Sequence, residues 1–314
     1  MNFNRLIKTN KIVIISMLFL VLFISQKTYS QQNDSTVSFL NKKNFKYILG
    51  AEAIIYGATI IGLNQLWYAN YPQSSFHLID DNNNWKQMDK IGHIGSAYYL
   101  GYLQIKLMKK CGYTSKKSML LGGSTGFIFL TSIEILDGFS KAWGASMGDV
   151  LANTTGYLLL VGQELVWKEQ RIMFKFSMSP SPYAKYRPDL LGYKINDQIL
   201  KDYNAQTYWL SLNIGSFMKA HQKFPKWLNL AVGYGADGMT GGPANFAVDV
   251  YNIPIPPYYR TRQFYLSLDM DLHRIKTKKI WLNTLLQTIG FIKIPFPAVE
   301  YNDKYGFNFI PIMF

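Results

Sequence analysis

The hydrophobic period of this chain changes once, at Ile172, from helical to two, and that change fixes the fold class before any motif is read. Upstream lie four segments with few charges and no proline: Phe45 to Trp67, Trp85 to Lys110, Ser115 to Leu136 and Gly148 to Gln170. Each is about twenty residues, a helical length that is also enough to cross a bilayer. The second opens after the cluster Asp80-Asp81-Asn82-Asn83-Asn84 and closes on Lys106, Lys109 and Lys110, cations that suit a helix C-terminus. Downstream, Tyr208, Leu210, Leu212 and Ile214 alternate with Trp209, Ser211, Asn213 and Gly215. The same alternation runs from Trp227 to Ala236 and from Gln263 to Arg274. Period-two patterning broken by Gly- and Pro-rich connections (237–243, 254–257) predicts antiparallel strands with one apolar face. Roughly five to seven strands are expected, fewer than the eight at which closed outer-membrane barrels begin, so the sheet is expected to stay open and pack on the helices. The predicted fold is α+β, with an N-terminal four-helix bundle over 45–170 and a C-terminal antiparallel β-rich region over 171–314.

The first thirty residues carry Arg5, Lys8, Lys11 and Lys27, an apolar run from Ile12 to Ile24, and the ending Thr28-Tyr29-Ser30. That is the pattern of a signal peptide over 1–30, with the mature chain expected to begin near Gln31 and a polar linker over 31–44. No cysteine follows the signal, so a lipid anchor there is not expected. The lone Cys111 excludes a disulfide framework and a cysteine-rich zinc site. A chain with 17% charged and 48% hydrophobic residues is not a disordered protein. Export removes nucleic acid as a partner, and the net charge of +14 then points to anionic membrane surfaces. The expected partners are membrane lipids or envelope proteins on the periplasmic side, with the outer membrane favoured over the inner. The sequence names no cofactor and no oligomeric state. Aromatics near the segment ends (Trp67, Tyr68, Tyr71, Tyr113, Trp143, Trp167) fit either an interfacial belt or an ordinary core.

The densest polar information lies on the second to fourth helices. Asp89 and His93 are four apart and share a helix face, with Lys90 beside them; Glu134 and Asp137 are three apart, and Asp149 and Asn153 four apart. A short loop carrying Ser140, Trp143 and Ser146 joins the last two helices, so the three pairs can converge. Ionisable groups on apolar helices are costly unless paired, protonated or metal-bound. Three readings are open. In the first, Asp149 caps its helix, Asp137 starts a turn and one His93–carboxylate pair locks the bundle. In the second, His93, Asp89 and Glu134 are catalytic and Asp137 and Asp149 hold a metal. In the third, Lys90, Ser140, Trp143, Ser146 and Asn153 bind a polar headgroup. His77, His221 and His273 are expected to be surface or strand residues, Ser124 a packing residue, and Asp269 and Asp271 members of a solvated sheet face.

The string Asp89-Lys90-x-x-His93, then Glu134-x-x-Asp137, then Trp143-Gly144-x-Ser146-x-Gly148-Asp149-x-x-x-Asn153-x-x-Gly156 resembles the YfiM-like predicted periplasmic lipoproteins, domain-of-unknown-function family 2279. It is more distantly similar to VanZ-like membrane proteins, which also pair an Asp-Lys-x-x-His helix with a later Asp-x-x-x-Asn helix. The resemblance covers about residues 85 to 160, and the phrases Gln206 to Ser211 and Lys293 to Pro297 look like longer members of the same family. It implies an envelope location and no established activity. Two functions stand as expectations: a membrane-associated envelope component that binds lipid headgroups or outer-membrane partners, and a metal-dependent hydrolase or transferase acting on a phosphorylated envelope lipid.

Overall fold

The computed structural model describes residues 41–63, 72–218 and 224–314. The expected signal peptide and most of the linker, together with Trp67, Tyr68, Tyr71 and His221, lie outside the described residues. The helical half consists of α1 (Phe45–Leu63), α2 (Met88–Lys110), α3 (Ser115–Asp137) and α4 (Met147–Val166). Helices α2, α3 and α4 form the packed unit. Their backbones touch where side chains are missing: a Cβ on Gly126 would lie 2.2 Å from the Ala97 carbonyl oxygen, and one on Gly156 2.2 Å from that of Ile94. Helix α1 lies alongside, with Phe45 and Ile48 packed on Met108 and Cys111, and Glu52 accepting a 2.9 Å hydrogen bond from Gln104.

Two boundaries differ from the sequence expectation. Helix α2 starts at Met88 rather than Trp85, because Trp85, Lys86 and Gln87 have φ of 48°, 52° and 64°, a left-handed turn that cannot continue into a right-handed helix. Distant partners hold that turn in place, since the Trp85 amide donates to Gly242 and the Tyr234 hydroxyl to the Lys86 carbonyl. At the other end of the unit, α4 stops at Val166 and the left-handed Lys168 (φ 56°) turns the chain toward the sheet. The loop between α3 and α4 adds an element the pattern does not disclose. There β1 (Leu78–Ile79) pairs in parallel with β2 (Ala145–Ser146).

After α4 the chain forms β3 (Ile172–Met178), the short helices α5 (Pro188–Leu191) and α6 (Ile195–Lys201), β4 (Gln206–Asn213), β5 (Leu228–Asp237), β6 (Thr261–Met270), α7 (Ile280–Thr288), β7 (Phe296–Asn302) and β8 (Gly306–Met313). The six strands from β3 to β8 make one sheet in chain order, every neighbouring pair antiparallel. Phe174, Leu210, Val232, Leu266, Val299 and Phe309 form one cross-strand row, and Lys175, Trp209, Gly233, Tyr265, Glu300 and Asn308 the next. The two rows face opposite sides, and their burial is inverted relative to a soluble sheet. Leu266 is 49% exposed and Phe309 63%, while Lys175 is 0% exposed and Glu300 7%.

The sheet curls around its polar side. Ile310 and Met313 of β8 pack against the interior cluster of Trp209, Ala231 and Tyr265, and the Lys293 ammonium lies 4.9 Å above the Trp209 ring. The segment carrying Lys293 is laid on the edge of β3 by Phe176 N–H to Phe291 O and Lys293 N–H to Phe176 O, both 2.9 Å. Inside, Lys175 Nζ meets Asp269 Oδ2 at 2.6 Å, and Ser211 Oγ donates to the same oxygen at 2.6 Å. Asp269 and Asp271, expected on a solvated face, are therefore buried. The solvent-side face is the apolar one, because the interior is filled by satisfied polar groups. Helices α2 and α4 cover that apolar face at the β3–β4 end, where Tyr98, Tyr102, Ile105 and Leu160 pack with Phe174 and Leu210.

Candidate functional site

The three polar pairs of the sequence lie where α2, α3 and α4 begin or end. The first two turns of α2 present Asp89, Lys90 and His93, the last turn of α3 presents Glu134, and the start of α4 presents Asp149 and Asn153. Helix α4 is capped by Ser146, whose hydroxyl accepts from the Asp149 amide at 3.2 Å. The expectation that Asp149 is the cap is thus corrected, and its carboxylate is turned into the cluster instead. Ser146 ties two further acids together, donating its backbone N–H to Glu134 Oε2 at 3.1 Å and its hydroxyl to Asp81 Oδ1 at 2.6 Å.

His93 is the centre. Its Nδ1 pairs with Asn153 Oδ1 at 3.0 Å; since an amide oxygen only accepts, Nδ1 carries the proton. Its Nε2 then faces Glu134 Oε1 at 3.7 Å, Asp89 Oδ1 at 3.9 Å and Asp149 Oδ1 at 3.9 Å. These separations are too long for hydrogen bonds and leave room among four donor atoms. Asp89, His93 and Asp149 each offer a ligand atom within 4.8 Å of the others, a set suited to a hard or borderline divalent cation. Lys90 closes the other side, 2.7 Å from Asp81 Oδ2, 2.8 Å from Asp149 Oδ1 and 3.3 Å from Asp89 Oδ2. The fully buried Asn153 Nδ2 has no hydrogen-bond partner among the described residues.

Four carboxyl groups against one lysine and one histidine leave the cluster acidic, and its protonation reflects that. Burial, then repulsion from Asp149, pushes the Glu134 carboxyl up to about 8. Burial and the Asp89 charge raise Asp149 to about 6. For His93 burial works toward a lower value, but Asp89, Asp149 and Glu134 outweigh it and hold the imidazolium above its ordinary range. Burial works to raise Asp89 and is outweighed by His93, Lys90 and the Tyr203 hydroxyl, which lower it. Two acids pushed up beside one held down give a site that can keep or transfer a proton near neutral pH.

The remaining sequence candidates sit outside this centre. Asp137 is not in the group within metal-ligand reach, though its charge helps raise Glu134. Ser140 and Trp143 shape the loop: the Ser140 amide donates to Asp137 O, and the Trp143 carbonyl lies 2.7 Å from His77 Nε2. His273, expected at the surface or on a strand, is largely buried in a turn after β6, 3.4 Å from Asp271. Ser124 bonds back to the Leu121 carbonyl three residues earlier on α3. Two members of the cluster escape sequence reasoning. Asp81 lies in the run that reads as a turn, and Tyr203, whose hydroxyl meets Asp89 Oδ1 at 2.5 Å, is 114 residues away with no spacing to mark it.

From Asp89 and His93 a cleft of about 540 Å³ runs along α2, walled by aromatic and aliphatic side chains of β3, β4 and α6. No curated protein and no solved structure matches the chain. Residues 79–161, which carry every member of the cluster except Tyr203, match the model of the family described as Predicted periplasmic lipoprotein (DUF2279), a domain of unknown function.

Proposed function

We propose that the chain is a membrane-associated component of the cell envelope that binds lipid, seated with the apolar face of β5–β8 against hydrocarbon and its acidic cluster beside the bound headgroup. The observation that carries this reading is the inverted sheet. Its interior is already filled by Lys175, Asp269, Ser211 and Trp209, so the exposed Val232, Leu266, Val299 and Phe309 are not a core waiting to close. An apolar surface of that extent on a strand face is the arrangement used against lipid. The family description, a periplasmic lipoprotein, agrees with an envelope location. The net charge of +14 favours an anionic membrane. Separation of inner membrane, outer membrane and soluble periplasm on a density gradient, followed by a carbonate wash, tests the reading. Retention in a membrane is the expected result, and release into the wash sinks it.

A second reading, a metal-dependent hydrolase or transferase acting on a phosphorylated envelope lipid, is favoured by the three carboxylate oxygens around His93 Nε2. There Asp89, His93 and Asp149 would hold the cation, which would offset the acidity that otherwise repels phosphate, and Glu134 would hold a proton. Metal analysis of the purified chain, with His93→Ala as control, decides it. Stoichiometric divalent metal lost in the variant supports this reading, and a metal-free chain after equilibration with zinc, manganese or magnesium removes it.

A further inference from the structure

The cleft beside the cluster has the shape and chemistry of a binding site for one hydrocarbon chain, and the following rests on the lipid-binding reading. We infer that it takes a single aliphatic chain whose head is an amine, the chain lying along α2 and the ammonium among the carboxylates at Asp89 and His93. Asp89, His93, Ser96, Tyr99 and Leu103 line it from one stripe of α2, spaced at three to four residues. Fourteen residues of helix between Asp89 and Leu103 span about 21 Å at 1.5 Å each. That exceeds the roughly 15 Å of hydrocarbon in one leaflet, taken as half of a 30 Å core. The cavity volume of about 540 Å³ is that of an ordinary small-molecule site.

Several polar groups along the cleft are already spent on the protein. Tyr99 Oη donates to the Phe174 carbonyl, Tyr208 Oη to Gln206, and Gln287 bonds both Lys106 and the His273 carbonyl. Most of what faces the cleft beyond them is hydrocarbon and ring surface, from Leu103, Leu130, Phe176 and Phe291, with Ser96, Tyr102 and His273 as the polar exceptions. Carboxylate charge is concentrated at one end. There Asp89 and His93 keep 24% and 17% of their side chains accessible, while Glu134 and Asp149 stand behind them at 4% and 5%. A head that reaches Asp89 meets a net negative charge: with Glu134 protonated, the carboxylates of Asp81, Asp89 and Asp149 still outnumber Lys90 and the His93 imidazolium by one. Phosphate and carboxylate heads are repelled there, and an ammonium gains charge-assisted hydrogen bonds.

The test uses the full chain in its membrane and dodecylamine bearing a diazirine at the far end of its chain, with labelled peptides mapped by mass spectrometry. Labels are expected near Leu103, Leu130 and Phe291, and unlabelled dodecylamine should compete at least tenfold better than dodecanoate or dodecyl phosphate. Ser96→Trp, from an exposed position on the cleft wall, should cut this labelling at least tenfold without changing carbonate-resistant retention. Leu103→Trp at the far end gives an independent block, and Asp89→Asn should erase the preference for the amine. Labels confined to the outer face of β5–β8, or equal competition by the three heads, overturn the inference. So does a dodecyl phosphate preference that appears only with added divalent metal, which transfers the cleft to the metal-dependent reading. Release of the chain by carbonate with cleft labelling intact would instead remove the membrane seating and leave this site standing.

Discussion

Asn153 and His93 are legible in the sequence as members of a polar set, because spacings of three and four put each pair on one helix face. Asp81 and Tyr203 are not, since one lies in a turn cluster and the other comes from a distant connection. Ser140 and Trp143 are the reverse case, polar or aromatic residues in the right loop whose bonds to Asp137 and His77 hold the loop in place. Protonation is where this scale makes a prediction. Glu134, Asp149 and His93 all have raised values, so between their ordinary and folded values the native chain holds more protons than the unfolded one. Stability therefore falls as pH rises, for Glu134 through the window from 4.5 to about 8. Each proton held contributes a slope of at most about 1.4 kcal/mol per pH unit. Asp89, whose value is lowered, acts with the opposite sign and only below its ordinary 3.8. Glu134→Gln, which cannot ionise, should flatten the decline and leave the variant more stable than the parent at pH 8. Chemical denaturation at pH 5, 6.5 and 8 checks this, and a parent slope that the substitution leaves unchanged would mean Glu134 is not the group holding the proton.

At the scale of elements, length and periodicity locate all four helices, and what they cannot locate is where each stops. The start of α2 is decided by Gly242 and Tyr234, residues that enter only when the sheet is folded against the helix. Among the strands, β4, β5 and β6 are visible from alternation. The short β1–β2 pairing is not, because two residues carry no period. How tightly α2, α3 and α4 approach is also hidden, since a glycine in a helix reads only as a weak position until its neighbour is known. Two glycines of α4 separate these cases. A Cβ at Gly156 would meet the Ile94 carbonyl oxygen at 2.2 Å, whereas at Gly162 nothing lies within 4 Å. Gly156→Ala should destabilise the chain by about 1–3 kcal/mol, the usual cost of overpacking against backbone. Gly162→Ala should stabilise it by up to about 1 kcal/mol through helix propensity alone. Thermal unfolding of both variants in one detergent makes the comparison, and equal effects would mean that α4 does not approach the α2 backbone this closely at Gly156.

For the whole molecule, alternation establishes that each strand has an apolar and a polar face, yet it carries no statement of which face is inside. The expectation of a solvated face at Asp269 and Asp271 follows the rule for soluble sheets. It fails because six strands curled around Trp209 leave an interior small enough for Lys175, Lys293, Asp269 and Ser211 to fill with paired polar groups. The consequence is that the two faces should respond to substitution in opposite ways. Asp269→Ala strands the buried Lys175 ammonium and takes away the partner of Ser211 and of the Ile294 amide, a loss of about 3–5 kcal/mol. On the other face, Val232, Leu266 and Val299 are neighbours in one row, 43%, 49% and 43% exposed, so replacing them with lysine costs the chain only their cross-strand contacts. Val232→Lys with Val299→Lys, which are not paired with each other, should therefore change the unfolding free energy in detergent by no more than about 1–2 kcal/mol. On the proposed seating of this face against hydrocarbon, the same pair should cost the chain carbonate-resistant retention, because each lysine facing hydrocarbon at depth costs about 2–4 kcal/mol. Measured together, stability and retention distinguish the alternatives: loss of retention with stability inside that range places this face in lipid, and unchanged retention would mean that the helical half alone holds the protein to the membrane.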